Sequence, residues 1–297
     1  MPTSNKSSRM LNGTWAERMA HMVEAQPEID AANAAFWNEL CGSTAARAWG
    51  ITDNSMDSLR RYDENYFRFY PYLERHIRWG QLRGKRVLEV GLGYGTVSQK
   101  LAESGAIVSG LDIATNPVAM VNHRLGQSGL PGEAKQGSIL NPPFPEGAFD
   151  AIVAIGCLHH TGNMRAGIES CRRLLAPGGR LIGMVYYAYS YRQLWTQPRV
   201  AAHVFVRELA GRSGIASGGD TFQYDHSADG SLAPSTEFVS KRTLRSLCAE
   251  FEKFRARTEN IDREPPFAFW SRDRLLQTPL PRLCGLDIYW SCHKPGC

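Results

Sequence analysis

Residues 86–113, RVLEVGLGYGTVSQKLAESGAIVSGLDI, decide the fold. Short β-branched, apolar runs bounded by glycine mark buried strands, and so VLEVGL (87–92) and AIVSGLDI (106–113) read as two strands. Between them Gly91, Gly93 and Gly95 turn the chain sharply, and residues 96–104 carry a helical pattern. The same alternation continues outward. A helix is expected over 117–127 and a short strand over 133–137. FDAIVAIG (149–156) gives a further strand, 163–175 a helix and RLIGMVYY (180–187) a fifth strand after Pro177-Gly178-Gly179. Strand–helix alternation of this kind predicts an α/β fold with a doubly wound, mostly parallel sheet and helices on both faces.

Beyond that core, 188–212 reads as helical and 213–236 as a loop rich in Gly, Ser and Asp. A helix near 240–251, a strand near 253–261 and a closing strand GLDIYWSCHK (285–294) follow. Upstream, residues 1–12 read as a disordered tail and 13–80 as an N-terminal helical cap, with helical stretches near 15–25, 28–48 and 58–79. Pro71 should divide the last of these, which carries Tyr62, Tyr66, Phe69, Tyr70 and Tyr72. The expected organisation is therefore tail, cap and an α/β domain over 81–297, with a helix-plus-lid insertion at 188–239.

Composition narrows the function class. The net charge of +5 is spread thinly, without the dense basic stripe of a nucleic-acid binder. No apolar run approaches the roughly 20 residues that span a bilayer, and the polar N-terminus reads as that of a cytoplasmic protein. The seven cysteines are scattered and odd in number, which argues against a disulfide framework or a zinc site. No metal is expected. Asp225, His226, Asp229 and Glu237 lie in a stretch better explained by turn chemistry and a lid over substrate.

The glycine turn at the end of a strand suits a nucleotide-containing ligand. Asp112 ends the second strand and can accept both hydroxyls of an adenosine ribose. Dinucleotides prefer G-x-G-x-x-G with pyrophosphate at the helix start. Here the third glycine comes one residue early, and Glu89 would sit beside the phosphates. A cofactor with a positively charged methionine end tolerates that acid better, which favours S-adenosylmethionine.

EVGLGYG (89–95), GLDI (110–113), FDAIVAIGCLHH (149–160) and LLAPGGRL (174–181) together resemble the successive motifs of class I, Rossmann-like S-adenosylmethionine-dependent methyltransferases. The resemblance covers roughly residues 80–190. It implies a seven-stranded sheet whose last strand, GLDIYWSCHK, runs antiparallel. It also implies that Gly91, Leu92, Gly93 and Gly95 border the cofactor, that Glu89 supports the loop, that Asp112 takes the ribose and that Ile113 packs on adenine. Ser138 and Ile139 stand where many members place an Asp for the adenine amino group, and Ile155 and Gly156 close the set.

Asn141-Pro142-Pro143-Phe144 spells the tetrapeptide of amino-group methyltransferases, but it precedes the fourth strand instead of following it, and is set aside. After that strand come His159 and His160, either of which is placed to take a proton from an attacking hydroxyl or to brace the loop. Methyl transfer needs no base when the nucleophile has no proton to lose. Candidate acceptor contacts are Tyr66, Tyr70, Tyr187, Tyr191, Arg192, Asp225 and His226. The expected activity is methyl transfer to an O, S or N atom of a small molecule, with no nucleic-acid or membrane partner and a possible homodimer. A macromolecular methyltransferase and an inactive cofactor-binding regulator stay open as alternatives.

Overall fold

The computed structural model describes residues 15–39, 43–217, 225–227 and 230–296, and the side chains of its first helix from Gln26 onward. The expected tail at 1–12, Cys41, Asp229 and Cys297 lie outside the described residues.

Among the described residues, nine strands form two sheets. The large one contains β1 (Arg86–Val90), β2 (Ile107–Asp112), β3 (Gly132–Gln136), β4 (Phe149–Ile155), β5 (Leu175–Tyr186), β8 (Glu252–Glu259) and β9 (Asp287–His293). Its order is β3-β2-β1-β4-β5-β9-β8. Strands β1 to β5 pair in parallel, and β9 runs antiparallel to both β5 and β8. The seven-stranded sheet with a reversed strand read from GLDIYWSCHK is therefore present. A small ribbon pairs β6 (Ile215–Ser217), inside the stretch read as loop, with β7 (Glu237–Val239), just after it.

Period-two alternation in the central strands feeds two cores, as expected for a sheet covered on both sides. Leu88, Val90, Ile152 and Ala154 face α7 (Met164–Leu174) and α10 (Lys241–Leu247). Val87, Ala151 and Val153 face α5 (Thr96–Glu103) and α6 (Thr115–Gln127). Glu89 shares this second face, between apolar neighbours on its own strand.

The cap comprises α1 (Trp15–Trp37), α2 (Ser43–Ala48), α3 (Met56–Phe69) and α4 (Leu73–Ile77). Helix α1 runs through Pro27, whereas the chain breaks between α3 and α4 at Pro71, where the sequence expected it. The segment 188–212 is not one helix. The residue before a proline disfavours helical backbone, and Gln197-Pro198 splits it into α8 (Tyr191–Thr196) and α9 (Pro198–Leu209). Two short helices, α11 (Arg272–Gln277) and α12 (Leu280–Cys284), have no sequence expectation behind them. They are brief, separated by Thr278-Pro279, and carry no extended apolar period.

Candidate active site

A cleft opens at the carboxyl ends of β1, β2 and β4, where open α/β sheets bind ligands. With its open mouth it encloses about 1070 Å³. The turn after β1 forms its floor. Gly91, Gly93 and Gly95 all adopt positive φ, and a Cβ on Gly91 would lie 2.4 Å from the Cβ of Cys157. The second glycine is thus needed for backbone conformation and the first also for close packing of β1 on the loop after β4.

Asp112 is 8% exposed and its two oxygens are held by backbone: Leu92 N–H donates to Oδ2 at 2.7 Å and Ala114 N–H to Oδ1 at 2.9 Å. Burial raises its carboxyl above the ordinary range, partly offset by those backbone bonds. Glu89 is buried beneath the loop and accepts from the Ser98 hydroxyl of α5. Desolvation pushes its carboxyl up to about 8, against the Ser98 hydrogen bond and with help from nearby Asp112. No Lys or Arg is among the described residues lining the cleft. It is an acidic site, with Arg124 acting on Glu89 from outside the lining.

The cap is tied to this floor through Asp63 of α3. Arg124 of α6, almost wholly buried, gives it two hydrogen bonds of 2.9 and 3.0 Å, and the Thr96 hydroxyl adds one of 2.6 Å. The Tyr62 ring stacks on Tyr94 of the glycine turn at 4.2 Å.

Opposite, the loop after β4 carries His159 and His160. His159 is wholly buried, with neither ring nitrogen partnered among the described residues, and burial holds it well below its ordinary pKa, with His160 adding to the effect. It lies under the cleft wall, its ring 4.1 Å from Tyr186. His160 lines the cleft, but both its nitrogens face covers. Nδ1–H donates to the Ser235 carbonyl at 2.8 Å, and Nε2 is 3.3 Å from the Asp225 carboxylate. Tyr186 donates to the same Asp225 oxygen at 2.8 Å. Burial alone would raise Asp225, yet the His160 contact and the Tyr186 hydroxyl outweigh it and hold the carboxyl below its ordinary value.

Ten of the eleven expected cofactor residues line the cleft: Glu89, Gly91, Leu92, Gly93, Asp112, Ile113, Ser138, Ile139, Ile155 and Gly156. Gly95 faces Arg124 and Val121 instead. Of the expected acceptor contacts, Tyr66 lines the cleft, Tyr70 packs behind it at 4.9 Å, and Asp225 reaches it through His160. His226 bridges to Leu232 within its own loop. Three others lie elsewhere. Tyr187 packs under Lys241, Tyr191 against Phe267, and Arg192 makes two 2.6 Å bonds to Glu264. Strand β5 ends before them and the chain turns away into α8, which sequence alternation alone did not reveal.

The sequence reading missed Asp30, Asn33, Trp37 and the Asp63–Arg124 pair. The first three sit at helical spacing, so a polar stripe on α1 was there to be found. The ion pair joins residues 61 apart and left no local pattern.

Residues 88–183 match a methyltransferase domain. The fold is that of the class I, Rossmann-like, S-adenosylmethionine-dependent methyltransferases. The ubiquinone biosynthesis O-methyltransferase of Dechloromonas aromatica is 36% identical over 142 residues, 47% of this chain and 58% of that protein. The demethylmenaquinone methyltransferase of Tropheryma whipplei is 33% identical over 104 residues, covering 35% and 42%. The chain thus spans about half the length of the curated relatives it matches. Among solved structures, the YcgJ protein from Bacillus subtilis superposes with a TM-score of 0.52 at 15% identity, over 77% of this chain and all of that one, a likeness of fold. No described helix is long and apolar enough to cross a membrane.

Proposed function

We propose that this protein transfers the methyl group of S-adenosylmethionine to an O, S or N atom of a small molecule. The observation that carries the reading is the convergence of ten expected cofactor residues on one acid-lined cleft without a lysine or arginine among its described residues. Such a donor set fits a cationic adenosyl ligand. Asp112 keeps a second lone pair on each oxygen for ribose hydroxyls, and the buried Glu89 gains from a positive charge nearby.

When bound, the cofactor supplies an electrophilic methyl on sulfur. The chain's own residues supply position and a dry surround. The glycine turn sets the floor, Ile113 and Ile139 give an apolar slot beside Asp112, and the cap with His160 closes the opposite side. Holding an in-line nucleophile near the methyl lowers the barrier mainly through proximity and orientation. His160 serves as a base only after Asp225 withdraws from Nε2. As arranged, it is a positioning residue that joins the loop after β4 to the 225–236 segment. The names of the quinone-pathway relatives support a small acceptor.

The test follows a labelled methyl group from S-adenosylmethionine into an extract incubated with the purified protein. Label in a low-molecular-weight product supports the reading. Label only in protein or nucleic acid, or cofactor binding without transfer to anything, overturns it.

A further inference from the structure

The side of α1 that meets the cleft is polar where a packing helix would be aliphatic. Asp30, Asn33 and Trp37 line the cleft. With Gln26 they follow a four-three-four spacing, which places them on one face of a helix. Gln26 Nε2 donates to the Thr161 carbonyl at 2.9 Å and to Asp30 at 2.8 Å. Asn33 Nδ2 donates to the His160 carbonyl at 2.7 Å. That bond fixes which way the Asn33 amide points. Its Oδ1 is then buried, on a residue 3% exposed, with no partner among the described residues. An amide oxygen left so is costly unless something donates to it. The Asp30 carboxylate and the rings of Trp37, Tyr62 and Tyr66 line the same cleft.

We propose that this stripe recognises the methyl acceptor and selects an aromatic molecule, uncharged or cationic, whose O–H or N–H donates to Asn33 Oδ1. The proposal rests on the methyl-transfer reading above. Ring faces on Trp37 and Tyr66 suit a flat ligand. Two oxygen acceptors without a described cation exclude a carboxylate at this end, because an anion there stays unpaired and desolvated. Asn33 is thereby a specificity-determining residue. The ammonium of the cofactor is the other N–H donor of matching chemistry, and the experiment separates the two.

The full chain, saturated with S-adenosylhomocysteine, is titrated calorimetrically with hydroquinone, dimethoxybenzene and benzoate. Hydroquinone is expected to bind about 10-fold more tightly than either of the others, the equivalent of one hydrogen bond. Asn33→Ala should abolish its advantage over dimethoxybenzene, while Asn33→Asp, which keeps an acceptor oxygen, should retain it. If Asn33 served only to hold the His160 carbonyl, the two variants would fail alike, and the proposal falls. Equal or tighter binding of benzoate overturns it, as does binding of none of the three. A loss of S-adenosylhomocysteine affinity in Asn33→Ala, with methylthioadenosine affinity unchanged, assigns the oxygen to the cofactor's ammonium and also overturns it. Failure of the wild-type chain to bind S-adenosylhomocysteine overturns the methyl-transfer reading itself.

Discussion

The two walls of the cleft are built differently. On the floor, the glycine turn and Asp112 are joined by the Leu92 N–H, which reaches a carboxylate 20 residues away inside one strand–helix–strand unit. Around His160 the partners are side chains and carbonyls from distant segments: Asn33 lies 127 residues upstream and Ser235 75 downstream. The floor cannot change without disturbing β1 and β2, both of which pair on two sides within the sheet. The opposite wall can be exchanged piece by piece while the sheet stands. One cofactor with many acceptors is the chemistry such a division permits.

The largest effect is expected where the cap is tied to the floor. Asp63 compensates an Arg124 side chain that is 2% exposed. Removing one partner of a buried pair leaves an uncompensated charge, at a cost of about 3–5 kcal/mol. Asp63→Ala should therefore lower the free energy of unfolding by that amount in chemical denaturation. Asp63→Leu with Arg124→Met should recover most of it. A loss under about 1 kcal/mol would mean that cap and floor are independent.

Next comes ligand affinity, which should divide along the same line. Asp112→Ala removes a charged acceptor from two backbone donors and from the proposed ribose, and S-adenosylhomocysteine affinity should fall about 100-fold. His160→Ala should change that affinity by less than about 3-fold. Comparable losses in the two variants would erase the distinction between the walls.

This division also explains what the sequence revealed. The parallel core and the floor were legible because a strand, a glycine turn and an acid lie within 28 residues and obey local rules of backbone conformation, whereas the reversed last strand followed from the family resemblance. The far wall was legible only in part. His160 and Asp225 were singled out by residue type, but nothing local shows that the two meet. Tyr187, Tyr191 and Arg192 were assigned because their run leaves β5 toward the ligand face, but Tyr187 packs under Lys241, and the turn at Ser190, which caps α8 by accepting from Gln193 N–H, carries Tyr191 and Arg192 away. Asn33 went unnoticed because an asparagine inside a helix looks like surface until its partner 127 residues on is known.

Titration offers a finer comparison, since each wall holds a buried acid. Burial raises Glu89 to about 8 in the floor and Glu237, which accepts from Met164 N–H behind the far wall, to about 7. A carboxyl raised on folding stabilises the protonated native state. That stability is complete below the ordinary value of 4.5 and is lost as pH rises through the folded value. The ligand-free protein should thus lose melting temperature steadily from about pH 5 to about pH 9. Glu237→Gln should flatten the earlier part of that fall and Glu89→Gln the later part. Binding a cation beside Glu89 favours its ionised form, so S-adenosylmethionine binding near pH 7 should release protons, read as a dependence of binding heat on buffer. A melting temperature that rises over this range would contradict both assignments.

The smallest effect concerns how the 225–236 segment is hung. Its Asp225 is held by the Tyr186 hydroxyl at 2.8 Å and by His160 at 3.3 Å, while Ser235 is held by the His160 ring. Tyr186→Phe keeps the ring against Phe238 and His159 and removes one hydrogen bond, worth about 1 kcal/mol. If side chains hold the segment, amide exchange around Thr236 should quicken roughly 5-fold, the same energy expressed as a local opening. Exchange in β2 should stay unchanged. Unchanged exchange at both places would mean that the β6–β7 ribbon alone holds the segment. The cover would then be as much a backbone construction as the floor, and His160 would be free to act without any movement of Asp225.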